Sequence, residues 1–240
     1  MSAEPRPTPP GAPALADLVA VMDRLRSPGG CPWDAEQTHA SLLPYAVEEV
    51  FEVVEAVEDG DRAALREELG DLLLQVVFHA RVAQEHPTEP FGIDEVAAGV
   101  AAKLRARHPH VFGDVVVSGA EEVHRNWEAI KKAEKRRASA LDGIPRGMPA
   151  LARAEKVAGR ARRAGLPVEE VAASVVDPPA AAGQVTGSAD ADALGRRLLA
   201  LALEAQNAGI DAEAALRAAV RDLEQALRAQ EAETDADPGR

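Results

Sequence analysis

Two helices joined by a tight turn are predicted between Tyr45 and Phe78, and they constrain the fold more than any other stretch. The turn falls at Asp59-Gly60-Asp61, and apolar residues recur at helical spacing on both sides of it. Each helix carries two carboxylates three positions apart. The pairs are Glu49 with Glu52, and Glu68 with Asp71. Residues three apart share one face of a helix, so antiparallel packing of these helices would direct four carboxylates into one space.

The first of these helices has a clear apolar stripe beside its acids. We expect the stripe to form the packing face of the helix, because its residues recur every three or four positions. The stripe consists of Val47, Val50, Phe51, Val54 and Val57. The glutamates, which include Glu48, fall outside it. Taken alone, they are typical of a solvated helix face.

The second helix changes this interpretation. From Leu69 onward it is apolar on almost every side, which is typical of a helix buried on most faces. Asp71 lies at the head of that run, and a carboxylate near a buried surface requires a compensating cation. Arg62 and Arg66 are the only basic residues nearby. The excess of negative charge therefore predicts a bound metal, and oxygen-only ligands indicate Mg²⁺, with Mn²⁺ possible.

Basic residues that suit an anionic ligand follow later in the chain. Lys103 and Arg107 are four residues apart on one predicted helix, either as solvated residues or as a clamp for phosphate. Trp127 lies in the apolar stripe of another helix, and Lys131 follows it by one turn. Trp127 is therefore a candidate both for core packing and for contact with a ligand.

Composition limits the class of protein. The apolar residues are mostly Ala, Leu and Val, and aromatic residues make up 3%, which favours an all-α fold. The formal net charge of −13 disfavours binding to nucleic acid. Cys31 is the single cysteine, which excludes a disulfide framework and suits the cytoplasm. No apolar run has membrane-spanning length, so we expect no membrane partner.

The C-terminal part weakly repeats the second acidic helix. Glu68-Leu69-Gly70-Asp71 aligns with Ala193-Leu194-Gly195-Arg196, and Lys103 and Arg107 align with Asp222 and Ala226. The repeat retains the Leu-Gly dipeptide but lacks the carboxylates and the basic pair. It is predicted to be a trimmed duplicate, and chance similarity between Ala/Leu-rich helices is the alternative.

Six segments of the sequence resemble the MazG family of nucleoside triphosphate pyrophosphohydrolases. They are GCPWDAEQT (30–38), LPYAVEEVFEVVEAV (43–57), REELGDLLLQVVFHA (66–80), RHPHVF (107–112), WEAIKKAE (127–134) and LDGIPRGMPALARAEKV (141–157). The resemblance extends over about residues 15–165, and the ExxE and ExxD pairs of the family are intact. Two-domain members of the family carry a second unit, which performs the catalysis in some of them. In this sequence the second unit is degenerate, so the first is expected to be the active one.

The resemblance implies an all-α, MazG-like helical bundle that forms homodimers or higher homo-oligomers. The predicted organisation comprises a disordered N-terminus (1–13), a catalytic unit (14–137), a linker with one short helix (138–189), a degenerate second unit (190–230) and a disordered tail (231–240). The resemblance also implies Mg²⁺-dependent hydrolysis of ribo- and deoxyribonucleoside triphosphates to monophosphate and pyrophosphate, in nucleotide-pool housekeeping.

Roles for the candidate residues follow from the same resemblance. The metal ligands are expected to be Glu49, Glu52, Glu68 and Asp71, and the catalytic residues Glu48, Glu49 and Glu52. Lys103, Arg107, Trp127 and Lys131 are expected to bind the substrate. Two alternatives stay open: a related all-α pyrophosphohydrolase of narrower specificity, such as a dUTPase-like protein, and a non-catalytic dimeric helical scaffold.

Overall fold

The structure is a computed structural model that describes residues 12–135, 138–177 and 189–236. Throughout these ranges the regular structure is helical, and they contain no strand. The all-α prediction is therefore confirmed. The helices are α1 (Ala12–Arg26), α2 (Pro32–Glu36), α3 (His39–Glu58), α4 (Arg62–Ala83), α5 (Ile93–Arg107), α6 (Pro109–Phe112), α7 (Ala120–Lys135), α8 (Ala150–Arg163), α9 (Val168–Val176), α10 (Ala189–Asn207) and α11 (Ala212–Ala236).

The chain divides into two compact units, Met1–Lys131 and Lys132–Arg240. The division falls inside α7, a few residues before the boundary predicted after residue 137. The predicted disordered ends, residues 1–13 and 231–240, lie largely outside the described residues. In their described parts, α1 begins at Ala12 and α11 continues to Ala236.

The α3–α4 hairpin is the centre of the first unit, and local signals fix both of its ends. Thr38 begins α3 with a reciprocal capping box, in which its side chain accepts from the Ser41 amide and the Ser41 side chain accepts from the Thr38 amide. Gly60 adopts a φ of +70°, the left-handed conformation that glycine tolerates best. The Asp61 carboxylate then accepts hydrogen bonds from the amides of Ala63 and Ala64 and caps α4.

Removal of this cap gives a prediction for stability. We expect Asp61→Ala to destabilise the first unit by about 1 kcal/mol, because two amides at the start of α4 lose their acceptor. In a chain of this size that corresponds to a melting temperature lower by about 2–4 °C. Asp59→Ala removes the same charge at the end of α3 and should leave the melting temperature almost unchanged. Equal shifts in the two variants, measured by calorimetry, would contradict this role for Asp61.

The structure corrects the prediction for the packing face of α3. The buried positions of α3 are Leu42 and Ala56, and the half-buried ones are Ala46, Glu49, Glu52, Val53 and Val54. Leu42 belongs to the core cluster together with two residues of α4, so this face packs on α4. The predicted stripe instead lies largely exposed. Its exposed members are Val47 (54%), Val50 (45%), Phe51 (45%) and Val57 (59%).

The prediction that α4 is buried on most sides also needs correction. Its core face contributes Val77 and Phe78 to a cluster with Met22 and Leu42. Another face of the helix leaves an apolar row exposed. That row consists of Leu69, Leu73 and Val76. The sequence pattern cannot distinguish burial within one chain from burial against another, because both require apolar side chains.

Helix α1 closes the other side of the core, and ion pairs fix it to α4. Arg81 of α4 lies 2.7 Å from Asp23 and 2.9 Å from Glu85. The Glu85 carboxylate also accepts two hydrogen bonds from Arg26, at 2.8 and 2.9 Å. These two arginines lower the pKa of Glu85, chiefly through the hydrogen bonds from Arg26.

The second unit has one more helix than the predicted linker with one short helix. The described residues 138–177 contain two helices, α8 and α9, and both pack on α10. Helix α8 also contacts α11, where the amide of Ala212 donates to Glu155. Apolar side chains of α8, α9 and α10 line a cavity of about 550 Å³ in this unit. Ala193 and Arg196, which align with the acids of α4, lie on α10. The identity of this unit as a degenerate duplicate stays a prediction.

The length and hydropathy of each helix indicate whether it could span a membrane. Among the residues that the structure describes, no helix is both long enough and apolar enough to cross a membrane.

Candidate functional site

The α3–α4 hairpin brings predicted acids from both helices together. Glu49 lies on the face of α3 that packs on α4, while Glu68 and Asp71 lie one turn apart on α4. Each of the three offers a carboxylate oxygen, and these oxygens all lie within 4.8 Å of one another. All three residues are half-buried. This acidic cluster, defined as Glu49, Glu68 and Asp71, is the convergence that the spacing of the acids predicts.

Glu52 lies beside the acidic cluster, but it is not one of the residues whose carboxylate oxygens all lie within 4.8 Å of one another. It lies one turn after Glu49 on α3, and its negative charge helps to raise the pKa of Glu49. The predicted fourth ligand is therefore next to the cluster, and its charge acts on both Glu49 and Glu68.

The electrostatics of the acidic cluster favour added positive charge. Burial raises the pKa of Glu49, and the negative charges of Asp71 and Glu52 raise it further. Burial likewise raises the pKa of Glu68, followed by the charges of Glu52, Glu67, Asp71 and Glu49. Like charges in one space each disfavour the ionised form of the others. The cluster therefore favours either a proton or a metal cation.

The donor set fits a hard divalent cation. All three converging atoms are carboxylate oxygens, and neither nitrogen nor sulfur donors belong to the cluster. Carboxylate oxygens suit Mg²⁺ or Mn²⁺, whereas thiolate and imidazole ligands suit zinc and copper. A divalent cation would also relieve the repulsion that raises the pKa values of Glu49 and Glu68.

Trp127 connects two of the predicted substrate-binding cations. The Nζ of Lys131 lies 4.3 Å from the centre of the indole ring, and the guanidinium carbon of Arg107 lies 5.6 Å from it. Cations over an indole face are attracted by its electron density. The half-buried Trp127, in the middle of α7, therefore contacts Arg107 at the end of α5 and keeps two positive charges near each other.

The other two predicted residues are exposed on their helices. Glu48 lies on α3 next to Glu49 and points away from the packing face. Lys103 lies on α5 one turn before Arg107. The catalytic role of Glu48 and the phosphate-binding role of Lys103 stay predictions.

Sequence reasoning missed one residue of the site. Gln75 lies on α4 one turn after Asp71, is buried, and lowers the pKa of Glu49 through its side chain, against the larger effects that raise it. The spacing of Glu68, Asp71 and Gln75, in steps of three and four, places all three on one helix face. That spacing is a signal that the sequence contains, although the neighbouring leucines obscure it.

The raised pKa values predict how the stability of the metal-free protein depends on pH. Between the ordinary glutamate value of 4.5 and the raised values of Glu49 and Glu68, the native state binds more protons than the unfolded state. Stability then falls as the pH rises through this window. We expect calorimetry in EDTA to show that acidification from pH 7 to about 5 shifts the melting temperature of the wild type further upward, or less far downward, than that of Glu49→Gln/Glu68→Gln.

The comparison of the wild type with Glu49→Gln/Glu68→Gln also controls for the protonation of histidine. Burial lowers the pKa of His79, and the neighbouring His39 lowers it further. The unfolded state therefore binds the extra proton, and acidification through the ordinary histidine value of 6.5 destabilises the native state. Both proteins contain this histidine, so the difference between their curves isolates the carboxylates. Parallel curves would show that the carboxylates do not interact as described.

Comparison of the sequence with known proteins identifies the family of this chain. The chain is 50% identical to an uncharacterized 26.1 kDa protein in the blaB 3′ region of Streptomyces cacaoi, over 92% of this chain and 84% of that protein. Residues 37–112 match the model of the MazG nucleotide pyrophosphohydrolase domain. The chain belongs to the MazG family. The matched segment contains the α3–α4 hairpin and its acidic cluster.

Other MazG relatives carry functional names. A nucleoside triphosphate pyrophosphohydrolase of Mycolicibacterium smegmatis is 46% identical over 78% of this chain and 55% of the relative. One of Escherichia coli K12 is 48% identical over 62% of this chain and 57% of the relative. The chain thus spans between one half and two thirds of the length of these named MazG proteins.

Proposed function

We propose that this chain hydrolyses nucleoside triphosphates to nucleoside monophosphate and pyrophosphate, with Mg²⁺ or Mn²⁺ held at the acidic cluster. The observation that carries the proposal is the convergence of Glu49, Glu68 and Asp71 within the segment that matches the MazG model. Relatives named nucleoside triphosphate pyrophosphohydrolase, 46–48% identical, support the reaction type.

The acidic cluster and Glu52 supply the binding site for the cation. Their four carboxylates would repel a triphosphate strongly without a compensating positive charge. A divalent cation held by these carboxylates would offset the charge of the triphosphate and would promote ionisation of a water molecule. Water then attacks the α-phosphorus, the bond to the bridging oxygen breaks, and pyrophosphate leaves with that oxygen.

The basic residues hold the phosphate chain. Arg107 and Lys131, brought together at Trp127, present two positive charges to a triphosphate, and Lys103 adds a third from the same helix as Arg107. An arginine can bind two phosphate oxygens at once, which fixes orientation as well as charge. Glu48, which is exposed beside Glu49 on α3, would accept a proton from the attacking water.

The exposed apolar row of α3, which consists of Val47, Val50, Phe51 and Val57, supports a homodimer. Four side chains of this row are exposed by about half in the single chain, although their spacing is that of a packing face. Charged side chains would be expected on a helix face that stays in water. A second copy of this chain offers the same apolar row, and a two-fold interface brings identical surfaces together.

Product analysis tests the proposed reaction. The protein is incubated with each ribo- and deoxyribonucleoside triphosphate in turn, with Mg²⁺, and the products are separated by anion exchange. We expect monophosphate and pyrophosphate in equal amounts. Diphosphate with orthophosphate would contradict cleavage at the α-phosphorus. Turnover of dUTP alone would indicate the narrower, dUTPase-like activity, and no turnover by a folded dimer would indicate a scaffold.

A further inference from the structure

The last helix of the second unit extends beyond its contacts with that unit. Helix α11 is joined to α8 at its first residue, where the amide of Ala212 donates to Glu155. Its half-buried residues all lie at or before Arg221, and every residue from Asp222 to Ala232 is exposed. A helical segment of about 15 residues is only marginally stable in water when it packs against nothing. The second half of α11 is therefore expected to pack against another molecule.

The exposed side of α11 carries an apolar row with the spacing of a coiled coil. The row consists of Leu216, Val220, Leu223 and Leu227, which are exposed by 51%, 44%, 59% and 56%. Steps of four, three and four are the repeat with which two helices pack along a common seam. The half-buried Ala214 and Ala218 fall on another side of the helix. The α11 row therefore stays accessible while the helix contacts its own unit.

The residues beside the α11 row carry charge on one side only. That side has Arg217 and Glu224, one residue of each sign, and the other side has Ala219 and Ala226. Because Arg217 and Glu224 are about 10.5 Å apart along one helix, they do not pair with each other within a chain. Charges at such flanking positions determine the orientation in which two helices pair.

A second copy of α11 that runs antiparallel matches the apolar row. When Val220 packs against Leu223 of the second copy, Leu216 packs against Leu227 of that copy. A two-fold axis then repeats both contacts. The row is thus complementary to itself in this register.

The same register also matches the charges. It brings Arg217 beside Glu224 of the second copy, and the two-fold axis forms this ion pair twice. A parallel pair would place alanine opposite each of these charges. Glu224 lies 3.6 Å from Arg228 of its own helix. A carboxylate has two oxygens and an arginine five donors, so ion pairs within a chain leave atoms for a second partner.

We propose that α11 is a second self-association surface of this protein, at which the α11 rows of two copies pair antiparallel. Four side chains from each copy give a contact smaller than a stable dimer needs by itself. The pairing therefore adds to the homodimer proposed through α3, which raises the effective concentration of one α11 around the other. The inference rests on that proposed homodimer and is independent of the proposed hydrolysis.

Double electron–electron resonance between spin labels on α11 tests the pairing and its direction. The label is attached to Gln225→Cys or to Ala232→Cys in the full-length Cys31→Ser protein, at exposed positions on the side of α11 away from the row. We expect a defined label-to-label distance at each position. Moving the label by seven residues shifts it about 10.5 Å along each helix, so the axial separation in an antiparallel pair grows by about 21 Å. An unchanged distance would indicate parallel pairing and would overturn the inference.

Leu223→Glu is the disrupting variant, and Ala229→Glu adds the same charge on the opposite side of α11 as its matched control. Both positions are exposed, so circular dichroism should show wild-type helix content in both. We expect Leu223→Glu to raise the dissociation constant of the homodimer about 10-fold in sedimentation velocity. In the labelled proteins it should also abolish the defined distances. Ala229→Glu should match the wild type in both measurements.

The outcomes separate this surface from the proposed α3 interface. A dimeric wild type without defined label distances, or wild-type dimerisation of Leu223→Glu, would overturn the α11 pairing while the α3 interface stands. Loss of helix content in Leu223→Glu would assign Leu223 to packing within its own unit and also overturn the pairing. A monomeric wild type would overturn both interfaces.

Discussion

Replacing Glu49 by Gln and Asp71 by Asn is expected to abolish saturable binding of Mg²⁺ or Mn²⁺. The double variant takes one oxygen ligand from each helix of the hairpin, and it removes two of the charges that attract the cation. We expect pyrophosphate release at saturating nucleoside triphosphate to fall by about 10²–10³-fold or more, the loss seen when a preorganised electrostatic contact is removed. Isothermal titration with Mg²⁺ and a coupled pyrophosphate assay measure the two effects.

A control variant loses the same number of negative charges at positions outside the acidic cluster. Glu55→Gln/Asp59→Asn removes two carboxylates that are exposed at the end of the same hairpin, outside the acidic cluster. We expect it to bind Mg²⁺ and release pyrophosphate as the wild type does. The melting temperature of Glu49→Gln/Asp71→Asn without metal should not fall, because repulsion within the cluster is relieved. Undiminished turnover in this double variant would exclude the acidic cluster as the catalytic metal site.

A second large effect is expected at the exposed apolar row of α3. Val50 lies in the middle of this row and is 45% exposed in the single chain. Val50→Glu would place a charge at the centre of the proposed two-fold interface, next to its own copy. We expect the dissociation constant of the dimer to rise at least about 30-fold, which corresponds to about 2 kcal/mol for an interface hot spot.

Sedimentation velocity over a range of concentrations measures this equilibrium directly. Gln84→Glu introduces the same charge at the exposed residue that follows the last residue of α4 and should leave the dimer intact. Circular dichroism should show equal helix content in both variants, because position 50 makes little contact within its own chain. Dimers of unchanged stability in Val50→Glu, or a monomeric wild type, would contradict the proposed interface.

The helical fold and the hairpin at its centre could be predicted from local chemistry. Ala- and Leu-rich segments predict helices, and Asp59-Gly60-Asp61 predicts a turn because glycine accepts the left-handed conformation that Gly60 adopts. The convergence of Glu49 with Glu68 and Asp71 follows from their spacing and from the short turn. These features depend on neighbours in sequence, which is why the sequence alone predicts them.

Features that depend on distant partners could not be predicted in the same way. Helix α3 has two apolar faces, and only the structure reveals that the face with Leu42 and Ala56 packs on α4. The segment before α10 is rich in Ala, Pro and Gly, and its small side chains give weak periodicity. Helix α8 corresponds to the one short helix predicted there, whereas α9 was missed, and both helices pack on α10.

The metal site itself is tested most directly by anomalous diffraction from crystals grown with Mn²⁺ and a non-hydrolysable nucleoside triphosphate analogue. We predict a Mn²⁺ peak within about 2.0–2.6 Å of carboxylate oxygens of Glu49, Glu68 and Asp71, with the analogue's phosphates beside it. The same crystals of Glu49→Gln/Asp71→Asn should lack the peak. A Mn²⁺ ion bound elsewhere on the chain, with the acidic cluster empty, would contradict this account of the site.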